Sequence, residues 1–309
     1  MRALVTTLND KTPVEIREMP DPVPAAHEAL VAVHAFSLNR GELRSVVNNG
    51  EGWIPGQDIA GIVLRQAANG AGPPAGTRVV CLTDEFGWAE QAAVAAHRIV
   101  PLPDNVSFAQ SCTLPVAGIT ALRCVRLGGA LAGRRVLITG AAGGVGMLAI
   151  QIAAHSGAHV TAVVGSSARA AGLASLGAHD IVEGIENATG RYALILEGAG
   201  GTSLAKALQL IEPKGTIAVY GNSSGERTEI GFMDFRPAQN ARIQSFFYFT
   251  CETEDMFAPD IALMVAMIAD GHLRPLVGIE RDWSDFAKVA ELLRTRKVMG
   301  KAVFRTGVA

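Results

Sequence analysis

Residues 134–165 read RRVLITGAAGGVGMLAIQIAAHSGAHVTAVVG, and the order of residue types in this stretch decides the fold. Val136-Leu137-Ile138 is a short apolar, partly β-branched run of the kind that forms a strand buried on both faces, and Gly140 stops it. Ala141-Ala142-Gly143-Gly144-Val145-Gly146 follows with the spacing G-x-G-x-x-G, alanine standing in the first position. In that spacing Gly143 lets a backbone approach a pyrophosphate, and Gly146 lets the next helix lie close against the strand. A helix over Val145–His155 turns its free N–H groups and the positive end of its dipole toward the same point. His159–Val164 makes a second strand. Strand, turn, helix and strand in succession predict a dinucleotide-binding unit, with Ala142, Gly143, Gly144 and Val145 against the pyrophosphate.

The residues that follow bear on which dinucleotide is bound. A site for NAD places an Asp or Glu about 20 residues after the motif, where it holds the ribose 2′-hydroxyl. Here the chain reads Gly165-Ser166-Ser167-Ala168-Arg169, and no Asp or Glu occurs between Asp104 and Asp180. A carboxylate would repel a 2′-phosphate, whereas hydroxyls and a guanidinium hydrogen-bond it. The expected cofactor is NADP(H), with Gly165, Ser166, Ser167 and Arg169 around the adenosine phosphate. Ser166 or Ser167 equally suits a helix cap with Arg169 on its solvated face, and the two uses are compatible.

A chain of 309 residues is long for one core and suits two domains. Hydrophobic residues make up 49%, charged residues 18%, and the net charge is −2, a balance that points to neither nucleic acid nor an acidic surface as partner. The first residues, MRALVTTLNDKTPVEIREMPDPV, are mixed and charged, without the apolar run of a signal peptide. No apolar run approaches the roughly 18 residues of a membrane helix, so a cytoplasmic location is expected. Cys81, Cys112, Cys124 and Cys251 are scattered without a C-x-x-C pair and read as reduced, buried side chains, and no metal site is expected.

Residues 1–117 hold short alternating strands (among them Ala29–Ser37, Asp58–Arg65 and Arg78–Cys81) between Pro- and Gly-rich turns, the pattern of an antiparallel, barrel-like β domain. From residue 118 helices and strands alternate (Gly118–Arg126, Val136–Thr139, Ala193–Leu196, Ser203–Ile211, Thr216–Tyr220, Arg242–Phe249), which predicts a parallel sheet covered by helices. Helices Asp260–Asp270 and Trp283–Arg294 and a strand Ala302–Phe304 form the tail, and Arg44–Pro55 reads as a loop.

Several short motifs occur in a recognisable order: Ser37-Leu38-Asn39-Arg40-Gly41-Glu42, Pro55-Gly56-Gln57-Asp58-Ile59-Ala60-Gly61, Gly76-Thr77-Arg78-Val79, Gly87-Trp88-Ala89-Glu90, Leu114-Pro115-Val116-Ala117-Gly118-Ile119-Thr120-Ala121 and Gly300-Lys301-Ala302-Val303. Together they resemble the medium-chain dehydrogenase/reductase superfamily, and within it the zinc-free quinone oxidoreductase branch, over nearly the full length. The resemblance implies an α/β protein with two parts. Residues 1–117 and 272–309 would be a GroES-like β-barrel catalytic domain to which the C-terminal tail returns; residues 118–271 would be a Rossmann NADP(H)-binding domain with a doubly wound parallel sheet. It also implies a homodimer associating through the edge strand near Arg242–Phe249. Zinc-bearing members carry a Cys near position 39, a His-Glu pair where this chain has Gln57-Asp58, and a four-cysteine lobe; all three are missing here.

Without a Lewis acid, alcohol oxidation is disfavoured, and a conjugated acceptor whose oxygen can be stabilised by hydrogen bonds is expected: a quinone or an enone, thioester-linked enones included. A non-enzymatic NADPH-binding protein or sensor is the alternative, since fold and cofactor do not guarantee turnover. The resemblance places Thr120 beside the nicotinamide or its ribose, where a helix hydroxyl bonded to its own backbone is the other reading. It also brings the backbone at Phe246-Phe247 to the nicotinamide, although two aromatics in a strand also suit a core, and gives Lys301 a cofactor contact. Gly221-Asn222 lies at the carboxyl ends of the strands, where open sheets bind ligands. Asn39 is expected to orient substrate or nicotinamide, because its amide both donates and accepts; a turn residue is the alternative. Trp53 either stacks on a flat substrate or closes the core edge of its loop. Arg40 and Asp58 also suit an ordinary ion pair. No His, Tyr or Lys is placed by sequence as a general acid, so the product's proton is expected through water or a cofactor hydroxyl.

Overall fold

The computed structural model describes residues 1–9, 13–250 and 256–308; Cys251 lies outside them. The elements run β1 (Arg2–Thr6), β2 (Val14–Glu18), β3 (Glu28–Leu38), α1 (Glu42–Asn48), β4 (Asp58–Arg65), β5 (Arg78–Leu82), β6 (Gln91–Ala95), β7 (Ile99–Pro101), α2 (Phe108–Ser111) and α3 (Pro115–Arg126). They continue with β8 (Arg135–Ile138), α4 (Gly144–His155), β9 (His159–Val164), β10 (Asp180–Glu183), β11 (Tyr192–Glu197), α5 (Gly201–Leu210), β12 (Ile211–Val219) and β13 (Arg242–Ser245). The last are α6 (Phe257–Ala269), β14 (Val277–Asp282), α7 (Phe286–Arg294) and β15 (Lys301–Arg305). The chain divides into two compact units, Met1–Ile119 with Thr253–Gly271 and Pro275–Ala309, and Thr120–Glu252 with His272–Arg274.

The first unit is built on a sheet ordered β14-β15-β3-β4-β5-β7, with β6 also pairing β3. All its pairs are antiparallel except β14 with β15. The central strand β3 is nearly all buried because Ala, Val, Leu and Phe fill both of its faces. Phe36 on β3 sits 5.8 Å from Trp88 and 5.2 Å from Phe304 of β15, and Phe286 of α7 closes on Trp88 at 4.7 Å, so aromatic packing ties the tail to the barrel. Helix α6, which the expected boundary at residue 271 puts in the dinucleotide-binding part, packs by contact with this unit. The reason is its contacts: the Asn105 amide donates to Ala269 O at 3.0 Å, and Arg98 lies over the Phe257 ring.

The second unit is a six-stranded sheet, β10-β9-β8-β11-β12-β13, with every neighbouring pair parallel. Numbered from β8, the order is 3-2-1-4-5-6, the doubly wound arrangement, and its order reverses between β8 and β11. Strands β8, β9 and β11 are almost wholly buried, as two-faced strands covered by helices must be. Two expected elements differ. The stretch read as a loop from Arg44 begins inside helix α1, and the strand expected over Arg242–Phe249 stops at Ser245, after which a 3₁₀ turn covers Tyr248–Thr250. Every residue of β13 is exposed, which marks it as an edge strand.

Candidate active site

In the second unit the glycine-rich turn is built by close backbone approach. Gly140 takes φ +61°, a conformation glycine adopts without strain, and Gly143 opens α4 with extended backbone. A Cβ added at Gly146 would lie 2.5 Å from Gly140 O and 2.7 Å from Ala141 Cα, so α4 packs against the turn only because position 146 has no side chain. Ala142 is buried, while Gly143, Gly144 and Val145 are half-buried at the helix start.

A buried network fixes the base of this turn. Glu197, at the end of β11, is 0% exposed and accepts from Thr139 Oγ1 (2.9 Å), Gly200 N (2.8 Å) and Ser203 Oγ (2.7 Å). Thr139 Oγ1 in turn accepts from Gly198 N at 2.9 Å, and the Tyr220 hydroxyl donates to Thr139 O at 2.8 Å. Burial, with Glu197 nearby, pushes the Tyr220 phenol up, so it stays a donor. The network spans the two strands between which the sheet order reverses. Nothing in the local sequence announced it, because its members lie just after β8, at and after the end of β11, on α5 and just after β12.

Gly165 and Ser167 are exposed, and Ser166 and Arg169 half-buried. Ser166 precedes a 3₁₀ turn over Ser167–Arg169 but makes no side-chain cap, so the capping reading is not realised. Arg169 reaches back to Ala142 O at 3.3 Å rather than lying on a solvated face, which ties this turn to the glycine-rich one. The absence of a carboxylate from the local sequence does not carry over to space: Glu183 at the end of β10 accepts from Ser167 N at 2.7 Å. Strand β10, paired with β9, brings it there, and the sequence reading had not identified that strand.

Gly221 follows β12 by two residues, and the Asn222 amide organises the next turn, donating to Glu226 O and accepting from Ser224 Oγ. Thr120 is buried on α3. Phe246 is half-buried and its N–H donates to Val219 O, whereas Phe247 is 51% exposed; neither aromatic makes a strand core.

In the first unit the strand register assembles a second cluster. Ala302 pairs with Leu38 and Ser37 with Asp58, so the ends of β15, β3 and β4 bring Lys301, Asn39 and Asp58 side by side. Asp58, 0% exposed, accepts from Ser37 Oγ (2.7 Å), Asn39 Nδ2 (2.8 Å), Lys301 Nζ (3.0 Å) and Val116 N (2.8 Å). Lys301, 5% exposed, also donates to Asn39 Oδ1 at 2.5 Å. Asp58 makes an ion pair with Lys301, a buried member of this cluster whose charge Asp58 matches. Glu42, one turn on, accepts from Asn39 N at 2.7 Å and Gln57 N at 3.0 Å. Burial, with Asp58 alongside, pushes its carboxyl up to about 8. The motif Ser37–Glu42 signalled this region, but the partners of its members are 15 to 262 residues away in sequence. Trp53 is half-buried; its indole N–H donates to Glu85 at 2.6 Å, and its backbone N–H donates to Thr6 Oγ1. Among the described residues no group of three or more His, Cys, Asp or Glu is placed to hold a metal ion, and no helix is long and apolar enough to cross a membrane.

Two family models match the chain. Residues 25–104 match the family model of the alcohol dehydrogenase GroES-like domain, and residues 144–266 that of the zinc-binding dehydrogenase. The quinone oxidoreductase of Mus musculus is 30% identical over 278 residues, covering 84% of this chain and 83% of that protein. The chain belongs to the quinone oxidoreductase-like branch of the medium-chain dehydrogenase/reductase superfamily. As a member of that branch it is an oxidoreductase, and the Rattus norvegicus quinone oxidoreductase is similar at 29% identity over 91% of this chain and 90% of its own. Among solved structures, a probable oxidoreductase from Mycobacterium abscessus matches with a TM-score of 0.85 and 25% identity, covering 99% and 98% of the two chains. The Escherichia coli quinone oxidoreductase complexed with NADPH shares the fold at a TM-score of 0.88 and 19% identity, covering 99% and 100%.

Proposed function

We propose that this oxidoreductase uses NADPH to reduce a quinone or another conjugated carbonyl, without zinc. The quinone oxidoreductase relatives support the acceptor class, and the NADPH bound in the Escherichia coli structure supports the cofactor. The residues fit such a cofactor: the close approach at Gly146 and the half-buried helix start at Gly144-Val145 leave backbone N–H groups for a pyrophosphate, while the Gly143 N–H closes the turn on Gly140 O. Ser166 and Arg169 bind the adenosine phosphate in this reading, with Gly165 and Ser167 beside them. Thr120, Gly221, Asn222 and the backbone at Phe246-Phe247 hold the nicotinamide end. The bound cofactor supplies a hydride.

The observation that carries the proposal is the Lys301 ammonium, 3.0 Å from Asp58 and 2.5 Å from Asn39, in the region where zinc-bearing relatives hold their metal. A cation already bonded to both groups opposes a Zn²⁺ ion, and neither amide nor ammonium is a ligand zinc favours. What the cluster offers instead is hydrogen-bond donation, which suffices for an acceptor that delocalises incoming charge onto oxygen. Asn39 orients that acceptor, with Trp53 as a flat neighbour. A second copy of the chain pairs along the exposed edge β13.

The test is the loss of NADPH near-ultraviolet absorbance on addition of a panel of quinones, enones and enoyl thioesters, on protein checked for zinc by metal analysis. Turnover on quinones or enones with no stoichiometric zinc is expected. Turnover confined to thioesters would shift the assignment to an enoyl-thioester reductase. Tight NADPH binding with no turnover on any acceptor would make the chain a sensor.

A further inference from the structure

Three ionisable side chains of the first unit, Glu42, Asp58 and Lys301, are each more than nine-tenths buried around one half-buried amide, that of Asn39. Burying a matched ion pair is more often neutral or unfavourable than stabilising, so its presence calls for a role. The hydrogen bonds define one. Lys301 Nζ is purely a donor, so the atom of Asn39 it meets at 2.5 Å must be the carbonyl Oδ1. Asp58 Oδ2 accepts, so the atom it meets at 2.8 Å must be Nδ2. The orientation of the amide is therefore fixed by charge, and neither face can flip without setting ammonium against N–H₂ and carboxylate against carbonyl. The backbone is held as well, since Asn39 N donates to Glu42 and Asn39 O accepts from Glu42 N. The Asp58 carboxylate accepts from four donors, Ser37, Asn39 and Lys301 on Oδ2 and Val116 N on Oδ1.

Resting on the reductase reading above, we infer that Lys301 and Asp58 are positioning residues that act through Asn39. They hold its carboxamide so that it presents its second Nδ2–H, a donor and not an acceptor, to the carbonyl oxygen of the substrate. Hydride from NADPH, where that cofactor is used, would form a C–H bond at the conjugated carbon of the acceptor and move the displaced π electrons onto its carbonyl oxygen, the cofactor being oxidised in exchange. The Asn39 N–H stabilises that oxyanion, and water supplies the proton that completes the product. Lys301 on Oδ1 draws electron density from the amide and strengthens the donor. With Lys301 on Oδ1 and Asp58 on one Nδ2–H, the amide keeps its second Nδ2–H for an incoming oxygen.

The experiment is a kinetic cycle on the full chain. Asn39→Ala is expected to lower kcat about 100-fold, the loss seen when one oxyanion donor is removed, with the Kd for NADPH unchanged. Because Lys301→Met alone would leave a buried, unpaired Asp58 and could unfold the protein, the partner variant is Lys301→Met with Asp58→Asn, which removes both charges together. It is expected to lower kcat at least tenfold in the wild-type background and by less than twofold when Asn39 is already Ala. Equal losses in both backgrounds would overturn the inference and leave the reductase reading intact. Absence of NADPH oxidation by the wild type on every acceptor would overturn both.

Discussion

Replacing Gly146 by Ala tests the cofactor cradle directly. The added Cβ would stand 2.5 Å from Gly140 O, 2.7 Å from Ala141 Cα and 2.8 Å from Ala141 C, whereas real Cβ atoms essentially never come within 3.0 Å of such atoms. All three obstacles are backbone, so no side-chain rotation relieves them and α4 must withdraw by about half an ångström. Overpacking of this kind costs about 1–3 kcal/mol, and a rigid backbone obstacle belongs at the upper end. Replacing a glycine inside a helix returns about 1 kcal/mol. The difference, about 2 kcal/mol, lowers Tm by about 4–8 °C for a unit of this size. The same withdrawal lengthens the bonds from the Gly144 and Val145 N–H groups to the pyrophosphate, and a loss near 1.4 kcal/mol there raises the NADPH Kd about tenfold. Differential scanning calorimetry and cofactor fluorescence titration measure the two effects. Gly231→Ala is the control for stability, because its Cβ would meet only Asp234 at 3.6 Å and its φ is −93°. A Tm that rises in Gly146→Ala, as helix propensity alone would give, refutes the argument.

Arg169→Ala is expected to weaken NADPH binding by about 1.5–3 kcal/mol, the range for a charge-assisted hydrogen bond, and to leave NADH nearly unchanged; equal losses in parallel titrations would remove Arg169 from the phosphate site. Glu42 gives a pH dependence of stability: its folded pKa of about 8 lies above the ordinary 4.5, so between those values the native state keeps a proton that the unfolded chain has lost. Stability should therefore fall as pH rises through that window and level off above it, and Glu42→Gln should flatten the slope; the same slope in both proteins, measured by urea unfolding at pH 5 to 8.5, would contradict it. Ile243, 43% exposed on the edge strand β13, is the place to break self-association: Ile243→Lys is expected to convert a wild-type dimer to monomer in sedimentation velocity, and a monomeric wild type would end the proposal.

What could be read along the chain and what could not divide by distance in sequence. The strand, turn and helix of residues 134–165 were legible because glycine spacing and apolar periodicity are local signals, and strand β9 spans the expected His159–Val164. Helix α1 was missed because Glu42–Asn48 is a short helix entered through Gly41 without a side-chain cap. Phe246-Phe247 read as a strand from their β propensity, but the pairing with β12 ends at Ser245, and without a ladder propensity alone does not extend a strand. Glu183 escaped notice for a different reason: the carboxylate was sought along the chain after β9, whereas a parallel neighbour delivers it from the next strand.

By itself the sequence determined that a dinucleotide fold is present, since glycine spacing and apolar periodicity are local constraints that few other folds satisfy. It also put Asn39 forward as a candidate site residue. Only the tertiary structure decided what Asn39 can do. Strand register across β15, β3 and β4 sets Lys301 on its oxygen and Asp58 on its nitrogen, and residues 19 and 262 positions away thereby fix which way round the amide lies. The charge that orients a group is fixed by neighbours in space, and the chain's own order does not record them.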